Sequence, residues 1–244
     1  MDEGGTRFVL IPSYNTGPRL ADTVRDAARD GAALFLVIDG STDGSADQVE
    51  PTPGLRMIRR ATNGGKGAAV LEGLRAAAAE GFTHALVMDA DGQHPGQAIA
   101  GFMALSAAHP AAMILGVPIF GASAPRARVL GRRISNVIVR WLTGAGIGDA
   151  LFGFRIYPLS PLLTIMEASP HMRGYDFDAE AVVRLSWQGV PVINRPVPVR
   201  YFRAAEGGVS HFRYGRDNLL LARMYVRLGA ARLTRRVGAM PFRH

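Results

Sequence analysis

Asp89 and Asp91 stand two positions apart where the apolar run His84-Ala85-Leu86-Val87-Met88 gives way to Asp89-Ala90-Asp91-Gly92-Gln93-His94. Side chains two apart on an extended chain project to the same side. If the strand geometry persists to Asp91 the two carboxylates converge, and Gln93 adds a third oxygen. Converging hard oxygens suit Mg²⁺ or Mn²⁺, which would keep positions open for water and a diphosphate. The plainer reading is a polar loop after a strand, and the surrounding segments decide between the two.

Two further clusters carry chemistry. Asp39 ends the run Leu34-Phe35-Leu36-Val37-Ile38 and starts Gly40-Ser41-Thr42-Asp43-Gly44. A carboxylate at a strand end can accept hydrogen bonds from a base or a ribose hydroxyl, or it can simply begin an Asp-Gly turn. Asn63-Gly64-Gly65-Lys66-Gly67 leads into a helical stretch, whose N-terminus attracts anions. It is not a P-loop, because the glycine five positions before the Gly-Lys pair is replaced by Arg60 and the hydroxyl after Lys by Gly67. Lys66 is the only lysine in a chain with 27 arginines, and it reads as functional.

The elements that must position these clusters alternate. Strands are expected at Phe8–Pro12, Leu34–Ile38, Leu55–Ile58, Ala85–Met88 and Ala112–Val117. Helices are expected at Pro18–Arg29, Gly67–Ala79 and Pro95–Ala107. Continuous apolar strands alternating with helices predict an α/β fold, a mostly parallel sheet covered on both faces. In such sheets ligands bind beyond the carboxyl ends of the strands. Ser13-Tyr14-Asn15 and the Asp39, Lys66 and Asp89 clusters all fall there, so four loops share one rim. After Pro118 the pattern changes: a basic helix over Ala127–Leu142, a polar-aromatic segment over Gly148–Pro158, a helix over Asp178–Gln188, strands broken by prolines over Val190–Phe202 and a helix over Asn218–Arg236.

Composition narrows the class. The 244 residues are 48% hydrophobic, enough for one large core, and contain no cysteine, which excludes disulfides and Cys-based zinc sites. No signal peptide is evident, and no apolar run approaches the ~20 residues a bilayer requires, so a cytoplasmic chain is expected. The net charge of +8 is unevenly placed. Gly92 to Gly148 contains no acid but holds Arg126, Arg128, Arg132, Arg133 and Arg140, and His211 to His244 contains eight arginines and one aspartate. Such zones imply an anionic partner. No RNA-binding motif accompanies them, so nucleic acid is not the expected one.

Taken in order, Ile11-Pro12-Ser13-Tyr14-Asn15, the Asp39 turn, the Lys66 loop and Asp89-Ala90-Asp91-Gly92-Gln93-His94 resemble family 2 glycosyltransferases with the GT-A, Rossmann-like fold. Asp149-Ala150-Leu151-Phe152-Gly153-Phe154-Arg155-Ile156-Tyr157 and Gly207-Gly208-Val209-Ser210-His211 resemble its dolichyl/polyprenyl-phosphate mannosyl- and glucosyltransferase branch. The resemblance spans residues 7–213. It implies inverting transfer of a hexose from a nucleotide diphosphate sugar to a lipid-linked acceptor, a polyprenyl phosphate, with a catalytic domain over 1–212. By that resemblance Pro12, Tyr14, Asp39, Lys66 and Asp89 serve the nucleotide sugar, while Asp89, Asp91 and Gln93 hold the metal. Asp91 and Asp149 are the catalytic candidates. Arg128, Arg132 and Arg133, with Arg203, Ser210, His211 and Arg213, lie where the branch binds its acceptor. The chain departs from the branch at Ile38-Asp39, where two adjacent aspartates are usual, at Thr16, where Glu is common, and at His211, where the mannosyltransferases usually have Lys. UDP and GDP therefore both stay open.

A hydroxyl acceptor would need a carboxylate base. Asp149 is the first candidate, then Asp176, Asp178 and Glu180. Gly4-Gly5-Thr6-Arg7 resembles the loop of sugar nucleotidyltransferases, but stands before the first strand instead of after it. A non-catalytic membrane-binding protein is the remaining alternative. Residues 213–244 read as a basic amphipathic extension. At 100° per residue Arg216, Arg223 and Arg227 form one stripe, expected to rest on an anionic membrane surface and make the protein peripheral.

Overall fold

In the computed structural model, residues 6–120, 126–199 and 214–238 are described. They form a 7-stranded sheet in the order β3-β2-β1-β4-β6-β5-β7. The strands are β1 (Arg7–Ser13), β2 (Ala33–Asp39), β3 (Leu55–Arg60), β4 (His84–Val87), β5 (Met113–Ile119), β6 (Arg155–Pro158) and β7 (Val192–Pro198). All pairings are parallel except those of β6, which runs antiparallel to both β4 and β5. The helices are α1 (Arg19–Ala27), α2 (Lys66–Ala79), α3 (Ala98–Ala108), α4 (Arg126–Thr143), α5 (Leu159–Glu167), α6 (Phe177–Trp187) and α7 (Tyr214–Gly238).

The alternation of side chains along the strands divides the core in two. Phe8, Leu10, Phe35 and Val37 point to one face and join α2, α5 and α6. Val9, Ile11, Leu34, Leu36 and Ile38 point to the other, where α1 and α3 cover them. Along β1, β2 and β4 both faces are dry, which is why these strands read as unbroken apolar runs rather than as alternating ones. Helix α1 buries Leu20, Thr23, Val24 and Ala27, one face at helical spacing. Helix α2 lies so close to the sheet that a Cβ on Gly73 would collide with Leu10.

Three expectations change. The segment expected to be only polar-aromatic contains β6, wedged between β4 and β5. Its Arg155-Ile156-Tyr157-Pro158 is too short and too mixed to announce a strand, yet every residue in it is buried. Val192–Pro198 is one strand despite Pro196 and Pro198. It is the last strand of the sheet, so its outer edge needs no ladder donors. Helix α7 is not laid out as an arginine stripe facing away from the domain. Leu221, Met224 and Leu228 enter the main core, and Arg227 turns inward to bond both oxygens of the fully buried Glu180 at 2.6 and 2.8 Å. The amphipathic pattern is used largely for packing. The expected boundary at 212/213 lies outside the described residues.

Candidate active site

The carboxyl ends of β1, β2 and β4 open on a cleft of about 1010 Å³. Asp39, 2% exposed, is held at the end of β2 by backbone N–H groups of Gly64 (3.0 Å) and Gly65 (2.8 Å), with Arg60 at 3.2 Å. Asp39 therefore fixes the glycine loop, and does so from the cleft wall. Gly65 takes φ +93° and a Cβ there would meet the Arg173 carbonyl at 2.5 Å, so only glycine fits this approach. The loop after β1 is tied across to the loop after β2: the Thr42 N–H donates to Asn15 Oδ1 (2.8 Å) and the Asn15 N–H to Ser41 Oγ (3.0 Å). This places Pro12 and Tyr14 on the cleft.

Lys66 begins α2, and its ammonium lies 2.6 Å from Asp89 and 2.6 Å from Asp178 at the start of α6. Burial opposes charge on Lys66, but Asp178 and Asp89 outweigh it and raise its pKa. Burial likewise works to raise Asp89. The Lys66 ammonium and the His94 hydrogen bond (3.3 Å) overcome it and hold Asp89 well below the usual carboxylate range. For Asp91, burial and the charge of Asp89 both push the pKa up. Its Oδ1 accepts the Gln93 N–H at 3.0 Å. The single lysine is thus a counter-ion tying the loop after β4 to α6, at the edge of the cleft.

Asp91, whose charge burial and Asp89 make costly, stands with Asp89 and Gln93 on an open cleft, a set of oxygen donors that suits a divalent cation. Among the described residues no group of three or more His, Cys, Asp or Glu side chains is placed to hold a metal ion by itself.

The opposite wall is made of α4, the segment before β6 and the start of α7. Asp149, 3% exposed, accepts from Arg132 Nη1 (2.7 Å), the Leu151 N–H (2.8 Å) and Asn136 Nδ2 (3.5 Å). Arg155, buried in β6, donates to the Asp178 carbonyl and to the Tyr157 hydroxyl (3.1 Å), linking this wall to Lys66. A Cβ on Gly153 would collide with the Asp89 carboxylate, so the segment is pressed against the rim.

The structure brings Pro12, Tyr14, Asp39, Lys66, Asp89, Asp91, Gln93 and Arg132 to one cleft. Asp149 sits just behind it through Arg132. Arg133, next to Arg132 on α4, is exposed. Arg128 is on α4, but its side chain is outside the described residues, as are Arg203, Ser210, His211 and Arg213. Arg173 and Tyr175 also line the cleft and were not anticipated, nor was the anchoring role of Asn136. Burial pushes the Tyr175 hydroxyl up to about 12. No local motif marks these residues, since their position depends on how α6 and α4 pack.

A cleft at the carboxyl ends of a doubly covered sheet, with two carboxylates just beyond its fourth strand, is where α/β folds of this kind bind ligands. The Glycosyl transferase family 2 profile matches residues 8–183, and the chain belongs to that family. It is similar to the polyprenol monophosphomannose synthase of Mycolicibacterium smegmatis, 28% identical over 217 residues, covering 83% of this chain and 79% of that protein. It is also similar to the undecaprenyl-phosphate mannosyltransferase of Micrococcus luteus, 25% identical over 201 residues, covering 78% and 82%. In fold it resembles glucosyl-3-phosphoglycerate synthase of Mycobacterium tuberculosis, with a TM-score of 0.65 at 17% identity over 98% of this chain and 83% of that one. A second structure of that synthase, in complex with Mn²⁺, UDP-glucose and glycerol 3-phosphate, aligns with a TM-score of 0.63 at 16% identity over 94% and 80%. The architecture is GT-A.

Proposed function

We propose that the protein transfers a hexose from a GDP- or UDP-linked sugar to a lipid-linked acceptor, a polyprenyl phosphate, with inversion at the transferred carbon. The observation that carries the choice of acceptor is the Arg132–Asp149 pair. Asp149 has donors on both oxygens and almost no exposure, so it is poorly placed to take a proton from a hydroxyl. Arg132, 15% exposed at its side chain, instead offers a fixed guanidinium to the cleft. A phosphate is already anionic and needs positioning and charge neutralisation rather than a base. Its oxygen forms the new bond to the sugar carbon as the bond to the nucleotide diphosphate breaks and the diphosphate departs with the electron pair. The names of the two mannosyl-transferring relatives favour the same acceptor class.

In this reading Pro12, Tyr14 and Asp39 border the nucleoside and Lys66 sets the charge of Asp89. Asp89, Asp91 and Gln93 hold Mg²⁺ or Mn²⁺, which when bound supplies positive charge to the leaving diphosphate. Arg128, Arg132 and Arg133 meet the acceptor phosphate, joined by Arg203, Ser210, His211 and Arg213. Asp149 positions Arg132. Residues 1–212 form the catalytic domain and 213–244 an extension, of which α7 packs on that domain. The enzyme works at a membrane surface as a peripheral protein.

The test is transfer from GDP- and UDP-sugars to a short-chain polyprenyl phosphate, with Mn²⁺ or with chelator, in wild type and Asp149→Asn. The expected result is metal-dependent transfer, with the Asn variant raising acceptor KM and lowering kcat less than about tenfold. A kcat loss of ~10²–10⁴, the range of a removed general base, with the basic side of the pH profile altered, would mean a hydroxyl acceptor.

A further inference from the structure

Helix α4 exposes Leu130, Ile134, Val137 and Trp141, each more than half accessible, at spacings of four, three and four. Those spacings put them on one face, opposite Val139 and Leu142, which enter the core. Helix α7 exposes Leu219, Val226 and Leu233 at intervals of seven, again one face, opposite Leu221, Met224 and Leu228. The two helices pack against each other. Trp141 is the junction: the Arg232 guanidinium stacks 4.7 Å over its ring, and a Cβ on Gly229 would lie 3.9 Å from it. Gly229 lies three residues after Val226 and four before Leu233, so Trp141 stands where the apolar stripe of α4 meets α7 beside the α7 stripe.

Single exposed apolar side chains need no explanation, but a patch of this kind does. Its border is basic. Arg133 and Arg140 on α4 and Arg216 and Arg223 on α7 are exposed. Helix α4 has no acid, and the single acid of α7, Asp217, is buried. A second copy docked symmetrically would set these arginines against themselves with no carboxylate to meet them. A nucleic acid would leave the aliphatic residues and the indole uncovered. An anionic lipid leaflet satisfies both components, since the arginines meet headgroups while Leu, Ile, Val and Trp enter the acyl boundary. The same helices form the acceptor wall of the cleft, through Arg132 and Ser135 of α4 and Asn218 and Leu220 of α7.

We propose that the joint outward face of α4 and α7 is a docking surface for an anionic lipid leaflet, which sets the acceptor wall of the cleft against the membrane. Its purpose rests on the reading of the acceptor as a membrane-borne lipid, whereas its readout does not. The surface differs from the arginine stripe expected of α7 alone, because Arg227 is withdrawn into the domain and the apolar contribution comes largely from α4.

The full chain is sedimented with phosphatidylglycerol-containing and with pure phosphatidylcholine vesicles at low and high salt. Wild type should partition to the anionic vesicles and be partly released by salt, and Ile134→Ser/Trp141→Ser should lower partitioning about tenfold or more. That variant should keep its Tm and its turnover of a short-chain, water-soluble polyprenyl phosphate. In an independent measurement that needs no destabilising change, brominated lipids should quench wild-type tryptophan emission and lose most of that effect in Trp141→Phe, where Trp187 remains. Failure of wild type to bind anionic vesicles, equal binding to both vesicle types, or unchanged binding by the variant overturns the proposal. So does a wild-type dimer that the double variant dissolves, or RNA binding that the variant abolishes. Vesicle binding as expected without any turnover of lipid phosphate would instead overturn the acceptor reading and leave the docking surface standing.

Discussion

The two walls of the cleft hold their carboxylates by different means. On the β1–β4 rim the donors are mostly backbone amides of neighbouring loops: Gly64 and Gly65 for Asp39, Gln93 for Asp91, Gly17 and Ser45 for Asp43. On the α4–α7 side they are chiefly guanidiniums brought in by helix packing: Arg132 of α4 for Asp149, and Arg227 of α7 for Glu180 on α6, which Arg184 one turn along the same helix also bonds. A backbone amide is delivered as soon as two parallel strands align. A guanidinium reaches its partner only after whole helices have packed. The rim should therefore tolerate changes in stability and lose chemistry when altered, while the wall should lose stability first.

The largest expected effect is on the rim. Asp91→Asn should lower transfer by ~10²–10³, the scale of a lost electrostatic stabiliser of the transition state, and abolish any metal-dependent increase in donor affinity. Stability should hold or rise. Asp91 has a pKa raised by burial and by the Asp89 charge, so its ionised form costs stability at neutral pH, and the neutral amide removes that cost. Calorimetric donor titration with and without Mn²⁺, beside a thermal melt, separates the two readouts. Near wild-type turnover in chelator would sink the metal reading.

On the opposite wall the order reverses. Arg227→Met leaves the fully buried Glu180 with Arg184 alone, and losing one charged hydrogen-bond partner there should cost ~1.5–3 kcal/mol. Residual turnover at low temperature should stay within a few fold of wild type. Burial works to raise the Glu180 pKa, but its bonds to Arg227 and Arg184 prevail and lower it. A depressed carboxylate contributes stability that is fully present above the unfolded pKa of ~4.3 and disappears as pH falls through the folded value. The stability gap between wild type and Glu180→Gln should accordingly narrow on acidification below about pH 4.3. A gap that widened there would contradict the ion-pair account.

The same contrast explains what the sequence made legible. Asp39 and the Asp89 cluster sit at the ends of unbroken apolar runs, and the Lys66 loop stands between a short strand and a helix in the same alternation, so pattern alone placed them on one rim. The two-apart spacing of Asp89 and Asp91 also pointed to a shared site. Strand β6 escaped because it is four residues long and carries Arg155 in the core, a residue type that periodicity assigns to the surface. The partnership of Lys66 with Asp178 spans 112 positions, and that of Glu180 with Arg227 spans 47. No local window contains either pair. Arg227 was grouped with Arg216 and Arg223 because helical angle gives direction around an axis, not what stands opposite it.

Gly153→Ala asks whether the two walls are independent. The glycine belongs to the segment before β6, yet its missing Cβ leaves room for the Asp89 carboxylate. The added methyl must displace Asp89, or its own segment and with it the Asp149 anchor. Overpacking of this kind costs ~1–3 kcal/mol. Donor affinity should weaken together with stability, which neither a pure rim change nor a pure wall change should produce. If stability alone falls, with donor titration unchanged, the walls do not communicate through this contact.

The smallest expected effect comes from Asp43, the exposed counterpart of Glu180. Burial slightly opposes its charge, but the Ser45 hydroxyl (2.7 Å) and the amides of Gly17 (2.8 Å) and Ser45 (3.2 Å) prevail and lower its pKa. The Gly17 bond ties the loop after β1 to the loop after β2. Because Asp43 is solvent-exposed, water replaces most of what is lost, and Asp43→Ala should cost only about 0.5–1 kcal/mol. The sign with pH is the same as for Glu180. The contribution is present above the unfolded value of ~3.9 and disappears as pH falls through the lowered folded pKa. The two carboxylates should differ in magnitude, and also in which property suffers when their bonds are broken. Removing Asp43 should loosen Tyr14 and raise donor KM modestly at nearly constant Tm, whereas removing Arg227 should lower Tm at nearly constant KM. Melting and donor KM measured on both variants test that crossing directly. Parallel losses in the two would mean that the rim depends on helix packing as much as the wall does.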